Sequence, residues 1–290
     1  MKCDLHVHTV HSGMCTVPVF RRICRESYSD PGEVYATLKR RGMDLVTVTD
    51  HDSIGSSESL RRHPDFFLSE EVTCRTSRGT ELHVAVYDIR ERDHIEIQRR
   101  RDDLAALFAY LHEREILFAI NHVFSALTGA RAEADFDDFA EYFPAVEVLN
   151  GQMLPAANGN AETFAARHRK IALAGSDSHT LAGLGRTYTQ VQGARGRRDF
   201  IDGLKSGRTA VFGEPGSYRK LLLAVLEISR GMMWDQRWTF ALAPLMPGVP
   251  LVVFAILARE LAFAHRWGRH VRKTGQLEQV PALSIPTSCN

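Results

Sequence analysis

Short apolar runs alternate with longer amphipathic stretches along the first two-thirds of the chain. Runs rich in β-branched and aliphatic residues predict strands at 2–7, 44–49, 82–87, 116–120, 145–149 and 170–174. The stretch Pro31–Arg41 predicts a helix, because Asp30 can cap it, proline opens it and Gly42 follows it. The stretch 93–115 predicts one long helix, with leucine and phenylalanine at helical spacing. This alternation predicts a parallel α/β arrangement.

Histidines and carboxylates lie at or just after the ends of several predicted strands. They are His6, His8, His51, Glu71, His83, His122, Asp177 and His179. Residues two apart in a strand share a face, so His6 and His8 are expected to point the same way. Imidazole and carboxylate groups are common ligands of zinc, manganese and iron, and their convergence needs a cation to balance its charge. The pattern predicts a metal site at the carboxyl ends of the strands.

Six segments carry these residues in a fixed order. They are Asp4-Leu5-His6-Val7-His8-Thr9, Thr49-Asp50-His51-Asp52-Ser53, Glu71-Val72-Thr73, Leu82-His83-Val84, Asn121-His122-Val123 and Gly175-Ser176-Asp177-Ser178-His179. Together they resemble the PHP (polymerase and histidinol phosphatase) superfamily over about residues 1–215. The resemblance implies a distorted (β/α)7 TIM-like barrel that holds two or three divalent ions, Mn²⁺, Zn²⁺ or Fe²⁺, and hydrolyses a phosphate ester.

The same resemblance implies a role for each ligand. His6, His8 and Asp177 would hold one metal. Glu71 would bridge it to a second metal, which His83 and His122 would hold. His51 and His179 would face a third.

One position departs from the family pattern. The family's first motif commonly continues His-Thr-X-X-Ser-Asp-Gly, with the aspartate as a ligand, whereas this chain has Gly13 at that place. Either the third site is weaker, or a nearby group such as Cys15 or His11 substitutes. We favour weaker occupancy.

The expected mechanism follows from the charge of a phosphate ester, which repels its nucleophile. A metal-bound hydroxide would attack phosphorus, and the metals would neutralise the phosphate and stabilise the leaving oxygen. His51 or His179 would protonate the leaving group if the third metal is absent. Arg186, in a glycine-containing loop after the last motif, is a candidate catalytic residue that could clamp phosphate, and Arg131 is a weaker candidate.

Three functions stay open at this stage. The first is a phosphatase acting on a nucleotide, a sugar phosphate or another small phosphomonoester. The second is a 5′-3′ exonuclease or a phosphoesterase acting on a nucleic-acid 5′ end, although a net charge of +1 provides no general field for nucleic acid. The third is a non-catalytic metal-binding regulatory module tethered by its carboxyl terminus.

Cysteine content and the amino terminus favour the cytoplasm. The five cysteines are odd in number and contain no Cys-X-X-Cys pair, which argues against a disulfide framework. The first motif begins without a preceding apolar signal segment. We therefore expect a cytoplasmic protein with a possible attachment to a membrane. The oligomeric state is not set by the pattern.

The carboxyl-terminal third differs from the barrel. We expect a helical apolar extension at 216–275 and a disordered tail at 276–290. No charged residue occurs in 239–258, a length that could cross a bilayer, but Pro244, Pro247 and Pro250 interrupt it. Three interpretations stay open: an apolar hairpin or helix packed on the barrel or a partner subunit, a peripheral membrane-associating element, and a true span.

The segment 15–28 is longer than a minimal strand-to-helix loop. It predicts either a short extra helix over the metal mouth or a surface insertion without contact to substrate.

Overall fold

The computed structural model describes residues 1–15 and 20–274. The strands in these residues are β1 (Lys2–Cys3), β2 (Ser69–Arg75), β3 (Glu81–Tyr87), β4 (Leu117–Ile120), β5 (Ala145–Asn150), β6 (Ile171–Gly175), β7 (Thr187–Val191) and β8 (Thr209–Gly213). The α-helices are α1 (Pro31–Arg40), α2 (Ser57–Leu60), α3 (Glu91–Arg100), α4 (Leu104–Glu113), α5 (Glu133–Tyr142), α6 (Pro155–Arg167), α7 (Arg197–Lys205), α8 (Tyr218–Asp235) and α9 (Val249–Thr274). Two 3₁₀ helices occupy Val10–Ser12 and Arg237–Gly248.

The strands form two sheets, and the mixed α/β class is confirmed. The larger sheet has the order β2-β3-β4-β5-β6, and the smaller one is β1-β7-β8. Both sheets are open in the described part of the chain, and isolated bridges such as Val7 to Ser178 and His51 to Glu71 lie outside the named strands. The (β/α)7 barrel is therefore not confirmed.

The expected all-parallel arrangement is wrong for part of the larger sheet. Strands β4, β5 and β6 are parallel, but β2, β3 and β4 pair antiparallel. The reason is the short connection between β2 and β3, which is closed by a hydrogen bond from Thr76 N to Thr80 O of 2.8 Å. A tight turn joins antiparallel strands, whereas a parallel pair needs a long crossover.

Two predicted elements also differ in extent. The stretch 93–115 forms two helices, because the Asp103 side chain accepts a hydrogen bond from Ala106 N and so starts α4. The stretch 44–49 is no strand of either sheet and has only a single bridge, from Val46 to Phe66. The residue types at 44–49 predicted a strand, but no strand in the described residues forms a continuous set of hydrogen bonds with this stretch.

Helices α4, α5 and α6 cover one face of the larger sheet. Their apolar side chains share a core with β3, β4 and β5, and Ala264, Trp267 and Val271 of α9 belong to the same core. The second half of α9 is thus packed on the folded domain. Hydrogen bonds support this docking, from Asn160 Nδ2 to Ala264 O at 2.7 Å and from Ala126 N to Glu260 Oε2 at 3.0 Å.

The uncharged stretch forms most of the second 3₁₀ helix and the first part of α9. The prolines of this stretch do not end the helical structure, because Pro244 and Pro247 lie within the second 3₁₀ helix. Together the two elements make one helical stretch, Arg237–Arg272, that is long and apolar enough to cross a membrane by length and composition only. The prediction of a disordered tail at 276–290 lies outside the described residues.

Candidate metal centre

The first and last motifs lie side by side just beyond the ends of β1 and β6. Asp177 N donates to His6 O at 2.7 Å, and His8 N donates to Ser178 O at 3.1 Å. Gly175 permits this approach, since a Cβ there would lie 2.3 Å from the Cβ of His6. The pairing brings two histidines and one carboxylate to the same place.

Glu71 of β2 lies at the centre of the cluster and is fully buried. Five histidine rings approach its two carboxylate oxygens at 3.2 to 3.4 Å. They belong to His6, His8, His51, His83 and His122. One carboxylate therefore faces nitrogens of five histidines from four separate segments of the chain.

Asp177 forms the second acidic point of the cluster. Its Oδ1 lies 3.5 Å from His6 Nε2, 3.3 Å from His8 Nε2 and 3.8 Å from His179 Nδ1. Asp177 has a φ of 50° and His122 a φ of 29°, in a region that L residues seldom adopt. Such backbone strain is typical of functional sites.

The spacing of these groups fits bound cations. Two ligands about 2.1 Å from a shared tetrahedral metal lie about 3.4 Å apart, close to the separations around Glu71 and Asp177. Within residues 1–15 and 20–274, four groups of three residues have ligand atoms that all lie within 4.8 Å of one another. They are His6/His8/Asp177, His6/Glu71/His122, His51/Glu71/His83 and His8/His51/His179.

Unpartnered buried atoms support the same conclusion. His8 Nε2, His51 Nδ1 and His83 Nδ1 are buried and have no hydrogen-bond partner among the residues that the structure describes. Buried polar atoms without partners are costly and rare. A divalent cation would take up these lone pairs, so the residues present fit a metal cluster.

Further side chains hold the first two histidines in one orientation. His6 Nδ1 lies 2.8 Å from Glu147 Oε1. His8 Nδ1 lies 3.0 Å from Ser12 Oγ, which itself donates to Asp50 at 2.8 Å. In both rings the Nδ1 proton is engaged, so Nε2 faces the cluster with its lone pair available, as metal-binding histidines require.

The charges of the cluster shift the pKa of its members in opposite directions. Burial alone would raise the pKa of Glu71, but the surrounding histidines hold it well below its usual range. Burial lowers the pKa of His51, yet Glu71 and Glu26 outweigh it and raise the value to about 9. Burial and the neighbouring His179 hold the pKa of His8 well below its usual range. These opposite shifts mean that the histidines of the cluster do not all carry a charge at neutral pH.

The structure brings all eight predicted metal ligands into this cluster and leaves the two arginines outside its contacts. Arg186 is exposed, its Nε donates to Ala182 O at 3.0 Å, and its nearest carboxylate is Glu214 at 3.9 Å. Arg131 is buried and donates to Glu81 O at 2.9 Å, so its guanidinium serves the fold. A phosphate-binding role for Arg186 stays a prediction.

Two site residues were missed by the sequence analysis. Glu147 of β5 supports His6, and its signal was a charged residue within an otherwise apolar predicted strand. Glu26 approaches His51 Nε2 at 3.0 Å and belongs to the segment 15–28. No motif or spacing marks Glu26, because its position depends on how this segment folds back. In its described part, 20–28, the expected extra helix is not found.

Comparison with known proteins adds one family match and one relative. A family model described as PHP-associated matches residues 155–209, from the start of α6 to the start of β8. An uncharacterized protein of Methanocaldococcus jannaschii is 31% identical over 67 residues. That match spans 23% of this chain and 38% of the relative, so it covers well under two thirds of the relative's length.

Solved structures share the fold. PsfC from Pseudomonas syringae superimposes with a TM-score of 0.57 at 16% identity, covering 79% of this chain and 98% of that one. The lesion-specific endonuclease PfuEndoQ from Pyrococcus furiosus gives a TM-score of 0.50 at 17% identity, covering 72% of this chain and 57% of that one. At these identities the likeness concerns the fold alone.

Proposed function

We propose that this chain belongs to the PHP superfamily and is a metal-dependent hydrolase that acts on a phosphate ester, which the match of a PHP-associated family model to residues 155–209 supports. The observation that carries the proposal is the buried carboxylate of Glu71 facing five histidines at 3.2 to 3.4 Å. A structural scaffold gains nothing from so many desolvated titratable groups. A hydrolase needs them, because divalent cations neutralise a phosphate and lower the pKa of water towards about 7.

The residues divide into ligands and supports. His6, His8 and Asp177 would hold one cation, and His83 and His122 a second, with Glu71 between them. Glu147 and Ser12 hold the imidazole rings of His6 and His8 in place by hydrogen bonds at 2.8 and 3.0 Å. Burial of these ligands excludes bulk water, so their charges interact more strongly with a bound cation or phosphate than they would in water.

We favour a terminal phosphate as the substrate group. The central ligands are almost fully buried, so a small phosphomonoester or a 5′ phosphate can reach them more easily than an internal diester of a folded nucleic acid. The net charge of +1 favours a small phosphomonoester over a nucleic-acid end. The endonuclease with a similar fold is the reason to test nucleic acid as well.

The proposal is tested by metal content and turnover of the purified chain. Protein loaded with Mn²⁺, Zn²⁺ or Fe²⁺ should bind at least two equivalents and hydrolyse members of a panel of nucleotides, sugar phosphates and 5′-phosphorylated oligonucleotides. Asp177→Asn should lower turnover by at least about 100-fold, since one ligand of the first cation is neutralised. His265→Ala, at an exposed histidine of α9, is the matched control and should leave turnover unchanged.

Three outcomes separate the alternatives. Fewer than two bound equivalents without hydrolysis of any panel member would contradict the proposal. Two or more equivalents without hydrolysis would favour the non-catalytic metal-binding module. Hydrolysis confined to oligonucleotides would identify the nucleic-acid alternative.

We further propose that the carboxyl-terminal extension attaches the protein to an anionic membrane surface. Seven large apolar side chains of this region are 48 to 74% exposed. They are Trp234, Trp238, Phe240, Leu245, Leu251, Val252 and Phe254. Exposed arginines flank them at Arg230, Arg237 and Arg259. An apolar surface with tryptophans and a cationic border is typical of interfacial membrane binding.

Surface attachment is favoured over a span by the two ends of the apolar stretch. Asp235 lies 3.7 Å from Arg25, and Arg259 donates to Ala126 O at 2.6 Å. Both ends thus contact the same folded domain, whereas a single crossing would place them on opposite sides of the bilayer. The intervening residues are too few for two crossings, which need about 40.

Vesicle sedimentation tests the attachment. The full chain should sediment with vesicles of phosphatidylcholine and phosphatidylglycerol and much less with phosphatidylcholine alone. The double variant Leu251→Asp/Phe254→Asp should weaken binding at least about tenfold, because two charges enter the apolar face. Ile95→Asp, at a half-exposed isoleucine of α3, is the control. Dimerisation in solution without vesicle binding would instead assign the surface to a second copy of the chain.

A further inference from the structure

We propose that Glu26 is the acidic ligand of the third metal position, where it replaces the aspartate that Gly13 leaves missing. The third metal position is defined here by His51 and His179, with His8 beside them. This inference rests on the proposed function, since it adds a ligand to the same metal centre. The weaker occupancy expected from the sequence took no account of Glu26.

The backbone places Glu26 next to Gly13. Residues 13–15 pair antiparallel with residues 24–26: Glu26 N donates to Gly13 O at 3.1 Å, and Cys15 N donates to Cys24 O at 2.9 Å. A bridge between Met14 and Arg25 lies between these two bonds. The pairing therefore brings the Glu26 side chain to the place in the fold where the motif aspartate would begin.

Gly13 itself is poorly suited to carry the ligand. Its backbone has a φ of 83° and a ψ of −151°, in a region that is open almost only to glycine. An aspartate would be strained there, although a Cβ would meet nothing within 4 Å. The turn that directs the chain into the paired segment thus needs glycine, and the carboxylate has to come from another residue.

The carboxylate of Glu26 faces the two histidines of the third position. Its Oε2 lies 3.0 Å from His51 Nε2 and 4.0 Å from His179 Nε2. These distances bracket the separation of about 3.4 Å expected between two ligands of one tetrahedral cation. His179 Nδ1 lies 3.2 Å from Asp177 O, so its Nε2 is the nitrogen left to face Glu26.

The oxygen concerned is unpartnered. Glu26 Oε2 is buried and has no hydrogen-bond partner in the described residues, although it lies 3.0 Å from His51 Nε2. A buried carboxylate oxygen in this state is costly unless a cation meets it. The same feature marks the nitrogens around Glu71, so Glu26 shares the character of the other ligands.

The two substitutes considered from the sequence are less suitable. His11 is exposed, and its Nδ1 lies against Gly55, where a Cβ would be 2.6 Å away. Cys15 lies beside Cys24, and burial together with the neighbouring Cys15 raises the pKa of the Cys24 thiol to about 12.

Metal titration of matched variants tests this role with a readout other than activity. The wild-type chain should bind three equivalents of Mn²⁺ or Zn²⁺ in equilibrium dialysis followed by elemental analysis. Glu26→Gln should keep two equivalents and bind the third at least about tenfold more weakly, because the neutral amide is a poorer ligand. Glu26→Asp should recover part of the lost affinity, since it keeps the charge. Glu58→Gln, at an exposed residue of α2, should behave as wild type.

The outcomes distinguish this inference from the proposed function. A wild-type chain that binds two equivalents and hydrolyses phosphate esters would keep the function and overturn the role of Glu26. Three equivalents of unchanged affinity in Glu26→Gln would do the same. A wild-type chain with fewer than two equivalents and no hydrolysis would overturn the function itself. Thermal melting of each variant shows whether it is folded, and Glu26→Asp provides the comparison if Glu26→Gln is not.

Discussion

Glu71 illustrates how single residues make the metal centre. Its carboxylate is buried, and the positive charge of neighbouring histidines lowers its pKa, so it stays ionised in a place where an isolated carboxylate would take up a proton. The cluster needs several such residues at once. Removal of any one leaves its partners buried and unpaired, which is more costly than the loss of an exposed ion pair.

Glu147 provides the first residue-scale prediction. Its two oxygens accept hydrogen bonds from His6 Nδ1, His122 N and Asn150 Nδ2 at 2.8 to 3.0 Å. Glu147→Gln replaces one acceptor by a donor, so the orientation of His6 is no longer fixed. We expect metal affinity to fall by about 10- to 100-fold, as is usual for partners of ligating histidines. Competition with a chelator dye measures the change.

The control for that prediction is Glu141→Gln, at an exposed residue of α5. The control should leave metal affinity unchanged. Equal affinities of Glu147→Gln and wild type would show that His6 is held by other contacts.

At the scale of single elements, helix α9 is exposed in its first part and packed on the folded domain in its second half. Trp267 in its second half is 5% exposed and packs against Phe136, with ring centroids 5.2 Å apart. Trp267→Ala should lower the free energy of unfolding by about 3 to 5 kcal/mol, the range for large buried aromatic residues. Trp238→Ala, at a position 60% exposed, should change it by no more than about 0.5 kcal/mol. Urea unfolding of both variants measures the difference, and similar losses would contradict the docking of α9.

The buried position of Glu260 in the docked helix α9 also predicts that the stability of the protein depends on pH. Burial raises the pKa of this carboxyl above its ordinary value of 4.5, and the hydrogen bond from Ala126 N only partly offsets it. In the interval between the two values the native state binds more protons than the unfolded state, so the stability from Glu260 falls as pH rises. Acidification from neutral pH to about pH 5 should therefore stabilise wild type relative to Glu260→Gln.

Thermal melting of the two proteins at several pH values checks this sign. Both share the carboxylates of the metal centre, so the acid sensitivity of that centre cancels in the difference. Glu162→Gln, at an exposed residue of α6, is the control variant. If wild type instead lost melting temperature relative to Glu260→Gln on acidification, the raised pKa of Glu260 would be contradicted.

At the scale of the whole molecule, the metal centre joins distant parts of the chain. Its candidate ligands come from the segment after β1, from the segment between α1 and α2, from β2, from β3 and from the loops after β4 and β6. A bound cation is a cross-link between these segments, and it stabilises only the folded state. Stability should therefore depend on metal concentration.

Chelation provides the corresponding prediction. One site at 100 times its dissociation constant adds about 2.7 kcal/mol, so two sites add about 5 kcal/mol. For a chain of this size we expect removal of metal to lower Tm by about 10 °C. Calorimetry before and after dialysis against a chelator measures it, and return of the metal should restore Tm. An unchanged Tm would mean that the cluster holds its shape without cations.

Much of the centre could be predicted from sequence because its ligands occur in short motifs at strand ends. His6 and His8 alternate with apolar residues, and this local spacing already implies a shared face. Glu147 and Glu26 were not predicted, because each acts on a histidine more than 20 residues away. The antiparallel start of the larger sheet was missed too, since no strand was predicted at Ser69–Arg75 and so its tight turn to β3 was not foreseen.

The sequence by itself predicted the mixed α/β class and the eight candidate ligands, because both depend on local residue type and spacing, and the resemblance to the PHP pattern marked the departure at Gly13. Only the tertiary structure decided that Glu71 lies between five histidines, that the segment before Tyr28 returns a carboxylate to Gly13, and that α9 is docked at one end and exposed at the other. These features depend on contacts between residues far apart in the chain, and local pattern does not specify which distant segments meet.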